Sequence, residues 1–181
     1  MQLELRMDNQ EILDRVEQGI KLLLENEEDS LKRGLNELNV STHLAFYLKP
    51  LFEDYNVDPE YNGDIDKPND RKALDIASNR IKEIGKKPNE FENYKLSPDI
   101  IIHRRRTNEH NLAVIEVKKD IHSKHLKDFD LIKLEHLTIN YLGNHYNYNL
   151  GIAIVLGSND NTGNYDITIF KEGIPVKRQD L

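Results

Sequence analysis

Three charged residues stand within or against two apolar runs: Asp99, at the head of Asp99-Ile-Ile-Ile-His103, and Glu116 and Lys118, inside Leu112-Ala-Val-Ile-Glu-Val-Lys118. Along a strand, side chains alternate between faces, so Glu116 and Lys118 project from one face and Ile115 and Val117 from the other. Burying charge without partners is costly, so a strand built this way has to be supplied with counter-ions or a metal. If the two runs pair, Asp99 and Glu116 converge, and two neighbouring carboxylates repel unless a divalent cation lies between them. Lys118 would then hold a water or an anionic oxygen beside that cation. Together these groups would equip metal-assisted phosphodiester hydrolysis, with the metal as Lewis acid and activator of water. The competing explanation is a structural salt bridge, Glu116 with Lys118 or with an arginine at a sheet edge.

An acid-x-Lys triplet is weakly specific by itself, and a second one, Asp70-Arg-Lys72, has no apolar neighbours. Pro-Asp occurs once, at Pro98-Asp99, runs into three isoleucines and precedes Glu116-x-Lys118 by one hairpin length, with Arg104 to Asn111 as the connection. The elements around it follow from periodicity. Ile12, Val16, Ile20 and Leu23 or Leu24 predict a helix from Asn9 to about Asn26, with Asp8 as N-cap. A second helix is expected from about Ser30 to Pro50, and a short strand between Tyr55 and Tyr61 ahead of the Asn62-Gly63 turn. Residues 64–96 are polar and carry Pro68 and Pro88, which reads as an insertion in a single domain spanning 1–181, behind an N-terminal helical segment at 1–28. A helix is expected over Lys124 to Leu142, stopped by Gly143, and then strands at Leu150 to Leu156 and Tyr165 to Phe170. The order predicts an α/β or α+β domain on one mixed sheet.

With 181 residues, 38% hydrophobic and 31% charged, the chain suits a globular core. No apolar run approaches the roughly 18 to 20 residues of a bilayer span, so no membrane role is expected. The start, MQLELRMDNQEILDR, has acids where an export signal has bases, which makes the cytoplasm the expected location. The absence of cysteine removes disulfides, thiol catalysis and iron–sulfur clusters, and leaves oxygen or histidine as metal ligands. The net charge of −7 argues against a surface basic throughout. Its distribution is uneven: residues 1–40 hold ten acids against five bases, whereas residues 103–127 hold seven bases against three acids, a local patch able to meet phosphate or merely a solvated face.

Ser-Pro-Asp-Ile-Ile-Ile-His-Arg-Arg at 97–105, followed by Asn-Leu-Ala-Val-Ile-Glu-Val-Lys-Lys at 111–119, resembles the PD-(D/E)xK nuclease superfamily, which includes restriction endonucleases and Holliday junction resolvases. It is more closely similar to a group of small bacterial members with an upstream Asn-Glu and Thr-His-Leu-Ala helix and a Glu-Tyr-Asn strand end, here Asn36-Glu37, Thr42 to Ala45, and Glu60 to Asn62. The likeness spans roughly Gly34 to Leu156 without 64–96. It implies a restriction-endonuclease-like three-layer core, a central mixed sheet flanked by helices. It also implies that Asp99 and Glu116 ligate magnesium or manganese with the Val117 carbonyl, that Lys118 orients the attacking water, and that Glu37 joins the metal shell. A homodimer is a further implication of the resemblance.

Around this core, Arg104, Arg105 and Lys119 are candidates for binding nucleic acid, since a guanidinium fork suits phosphate. His43 is either a core histidine near the site or a phosphate donor. His122 and His125 lack a third ligand and read as solvent-exposed, while the resemblance implies that Asp130 and Lys133, on the helix after the second strand, face the sheet and the substrate. No phosphate loop, Gly-x-Gly-x-x-Gly or Gly-x-Ser-x-Gly occurs. The expectation is a metal-dependent nuclease acting on DNA. The alternatives are a catalytically silent module binding nucleic acid or protein on the same fold, and a plain structural protein.

Overall fold

The computed structural model describes residues 7–34, 36–60, 82, 98–107, 109–139 and 146–181. Apart from Lys82, the expected insertion at 64–96 lies outside them, as do Leu35, Tyr61, Asn62 and residues 140–145.

Helix α1, Asn9–Asn26, starts where Asp8 accepts a hydrogen bond from the Glu11 amide at 2.7 Å, and it buries Ile12, Leu13, Val16, Ile20 and Leu23. The expected second helix is two helices. A short α2, Glu28–Lys32, ends before Gly34, whose φ of +80° a helix cannot continue. Asn36 then caps α3, Glu37–Leu48, through the Asn39 amide at 2.9 Å. The break puts Glu37 in the first turn of a new helix, where the exposed amide dipoles favour a carboxylate.

One six-stranded mixed sheet follows: β1 Asn56–Pro59, β2 Ile100–His103, β3 Ala113–Lys119, β4 Leu150–Leu156, β5 Tyr165–Lys171 and β6 Ile174–Val176, in that spatial order. All pairs are antiparallel except β3 with β4. That parallel step needs a crossover, which α4, Lys124–Thr138, provides. The sixth strand was not expected from the sequence. Glu172 and Gly173 both take positive φ, the geometry of a tight hairpin turn, and fold Ile-Pro-Val back on β5. Helix α4 is shorter than its periodicity predicts: Ile139 is already extended, and the Thr138 hydroxyl binds the Leu134 carbonyl at 2.8 Å and accepts the Gly173 amide.

The two faces of the sheet bury different helices. Ile100, Ile102, Ile115 and Val117 pack with α1 and α3, while Ile101, Val114 and Ala153 pack with Leu134 and Leu137 of α4. By alternation, Asp99, Glu116 and Lys118 belong to the α4 face. The fold is therefore α/β, a mixed sheet with helices on both sides. None of the described helices is long and apolar enough to cross a membrane.

Edge strand β1 is clamped to β2 by charge. Asp58 takes Arg105 through two nitrogens, at 2.9 and 2.5 Å, and the buried His103 at 2.9 Å. The Arg105 guanidinium, with His103, holds the Asp58 carboxyl below the usual range despite partial burial. A depressed carboxyl pKa stabilises the fold above the unfolded pKa and loses that contribution as pH falls through the folded one. Asp58→Asn is expected to cost on the order of 1 kcal/mol at pH 7, because Arg105 is largely exposed, and the gap to wild type should close below about pH 4. Urea unfolding of both proteins at the two pH values checks this; a gap that persists at low pH would assign the loss to packing instead.

Candidate active site

The β2–β3 register pairs Ile100 with Ile115, so one step further Asp99 faces Glu116. Asp99 follows buried Pro98, and its Oδ2 accepts the Val117 amide at 2.7 Å, which ties the carboxylate to the neighbouring strand. Glu116 is 1% exposed. Its Oε1 lies 2.8 Å from the Lys133 Nζ of α4, and its buried Oε2 has no hydrogen-bond partner. Lys133 also reaches Asp130 Oδ1 at 2.8 Å, and Lys118 bridges Asp130 Oδ2 and Glu37 Oε2, each at 3.1 Å. His122 Nδ1 closes the outer side against Glu37 Oε1. Strand β3, the mouth of β2, the first turn of α3 and the middle of α4 thus meet around four carboxylates and two ammonium groups.

Electrostatics in this cluster follow from burial and from that imbalance. Burial pushes the Glu116 carboxyl well above its ordinary pKa; Lys133 opposes this, and Asp99 and Asp130 add to it. Burial also lifts Asp99, against the Val117 amide and both ammonium groups. For Lys118, burial disfavours the charged form, but Asp130, Asp99 and Glu37 outweigh it and raise its pKa above the ordinary lysine range. Lys133 is raised in the same way, with Glu116 and Asp130 outweighing burial.

Among the described residues, no three Asp, Glu or His side chains form a ready cage for a metal. The two lysines explain this: each ammonium sits between carboxylates and spaces them apart. The donor set nevertheless fits a hard cation such as magnesium, which is commonly held by one or two carboxylates plus waters. Asp99 and Glu116 face each other on paired strands, the ionised forms of both are under-compensated, and one oxygen of Glu116 is buried without a hydrogen bond.

Several sequence expectations land elsewhere. Glu116 does enter an ion pair, but with Lys133 and not with Lys118 or an arginine. The Val117 carbonyl accepts Lys118 Nζ at 3.3 Å, while its amide holds Asp99. Arg104 and Arg105 are not beside the site: they follow the far end of β2, about 16 Å along the strand from Asp99 at roughly 3.3 Å per residue. There Arg105 is engaged by Asp58, and the Arg104 guanidinium stacks 5.1 Å from the Tyr55 ring. Lys119 alternates onto the opposite face of the sheet from Glu116 and is 8% exposed. His43 lies at the α1–α2 junction, 3.0 Å from Glu27, which also accepts the Tyr47 hydroxyl. His122, expected in solvent, is half-buried against Glu37. The sequence did not show this contact because it depends on the turn after β3 folding back toward α3, which no local pattern announces. Compared with models of protein families, with curated proteins and with solved structures, the chain matches none, so its site is interpreted from its own residues.

Proposed function

We propose that the protein is a divalent-metal-dependent nuclease of the PD-(D/E)xK type, with a restriction-endonuclease-like core, hydrolysing phosphodiester bonds in DNA. The observation that carries this reading is the convergence of Asp99 and Glu116 across paired strands with the Lys118 ammonium on the same sheet face, next to the apolar Ile101 and Val114. Asp99 and Glu116 would hold magnesium or manganese, with the Val117 carbonyl at the edge of the site and Glu37 reaching it through Lys118. The chemistry a divalent cation supplies there is Lewis-acid polarisation of phosphate and a lowered pKa for water.

The protein's own groups do the rest. Lys118 stays an ammonium at working pH, so it donates: it orients the attacking water or binds a non-bridging phosphate oxygen, and it does not act as a general base. Glu37 and Asp130 fix its Nζ from two sides, which limits the positions of any oxygen it binds. Substrate would approach from the side of Glu37 and His122, where exposure is greatest, each being 29% exposed against 5% for Asp130. The acidic total charge predicts salt-sensitive binding through one basic region, a second subunit supplying further contacts in a homodimer.

The test is an assay on plasmid, linear and single-stranded DNA and on RNA, with manganese, magnesium or chelator. Metal-dependent cutting of DNA is the expected result. A folded protein that cuts none of these substrates with either metal would move the reading to a catalytically silent module.

A further inference from the structure

Lys133 is the buried group that the chemistry above leaves without a task. It is 8% exposed, yet its Nζ lies 2.8 Å from Glu116 Oε1 and 2.8 Å from Asp130 Oδ1. The ammonium also lies over the Phe129 ring, 5.4 Å from its centroid. Water orientation does not require it, because Lys118 already stands on the other oxygen of Asp130. A buried ammonium is retained at a cost in desolvation, which opposing carboxylates must offset. Here the offset comes partly from Glu116, the carboxylate proposed as a metal ligand.

An ammonium within 2.8 Å of a carboxylate oxygen and a divalent cation at about 2.0 to 2.6 Å from the same carboxylate lie close enough to repel strongly at low dielectric. We propose that Lys133 is a positioning residue that tunes cation uptake: its tethered ammonium holds the Glu116 carboxylate in place and competes with the divalent cation for it. Asp130, one turn earlier on α4, keeps the ammonium within reach when Glu116 is surrendered. The site thus carries its own monovalent competitor, and only a cation of higher charge displaces it. This inference rests on the metal reading of Asp99 and Glu116.

Calorimetric titration of manganese into the full chain separates the two. Lys133→Met, which keeps the apolar stem, is expected to bind manganese at least about tenfold more tightly than wild type. Lys133→Gln keeps a donor for Glu116 without the charge, guards against a folding failure of the first variant, and should tighten binding in the same direction. The manganese-induced rise in thermal midpoint should also be larger in both variants than in wild type. The gain should vanish when Glu116→Gln is added. Wild-type uptake with unchanged or weaker binding in both Lys133 variants would overturn the competition while leaving the metal site intact. Manganese uptake by none of the proteins would remove the metal reading and this inference with it.

Discussion

Lys118→Ala is expected to lower metal-dependent cleavage by about a thousandfold, near the middle of the range for losing one positioned proton-donating or charge-stabilising group. The size follows from how little freedom this ammonium has. Glu37 and Asp130 each hold Nζ at 3.1 Å, and its side chain is only 14% exposed. Removal deletes a fixed charge from a site where water cannot replace it in the same geometry. The fold should survive, because Asp130 keeps Lys133 as its counter-ion; a loss of no more than about 2 kcal/mol is expected. Lys118→Arg tests geometry against charge. Its planar fork cannot take the same place between two carboxylates, so most activity should remain lost. Single-turnover cleavage and urea unfolding of the three proteins are the measurements, and full activity in Lys118→Ala would defeat the mechanism.

Glu116→Gln should be equally severe for cleavage, about a thousandfold or more, but for a different reason: manganese affinity should collapse with it. The amide keeps the shape of the side chain and removes the charge. Since burial already disfavours ionised Glu116, neutralising it relieves desolvation while Lys133 retains Asp130, and the two effects nearly offset in stability. Glu116→Ala should differ, losing about 3 kcal/mol or more by opening a cavity and removing one of the two carboxylates that hold the buried Lys133 ammonium. Calorimetry, cleavage and unfolding on the pair separate ligand from scaffold. A Gln variant with wild-type manganese affinity would take Glu116 out of the metal shell; an Ala variant as stable as Gln would mean that Lys133 is less dependent on Glu116 than its 2.8 Å contact implies.

The two β strands that carry the site were legible because their signals are local. Three isoleucines after Pro98-Asp99, and Val-Ile-Glu-Val-Lys after a hairpin-length connection, fix an alternation that puts Glu116 and Lys118 on one face whatever surrounds them. The N-cap of α1 and the crossover helix between β3 and β4 were readable for the same reason. Gly34 was not read as a break, although its positive φ makes Glu37 the start of α3 and so brings it to Lys118. A glycine between two apolar helical stretches is compatible with continuation or with a stop, and packing of α3 on α1 decides between them.

What the sequence determined by itself is that Glu116 and Lys118 share one face of their strand, since strand period leaves no choice; that Asp99 stands opposite Glu116 was conditional on the two runs pairing, and the β2–β3 register decided it. Partners were decided only by the tertiary structure. Which ammonium meets Glu116, whether the arginines lie at the site or at the other end of β2, and where His43 and His122 come to rest depend on how helices dock on the sheet. Those contacts join residues far apart in the chain, and charged side chains long enough to reach several neighbours settle according to which carboxylates burial has left short of a counter-ion.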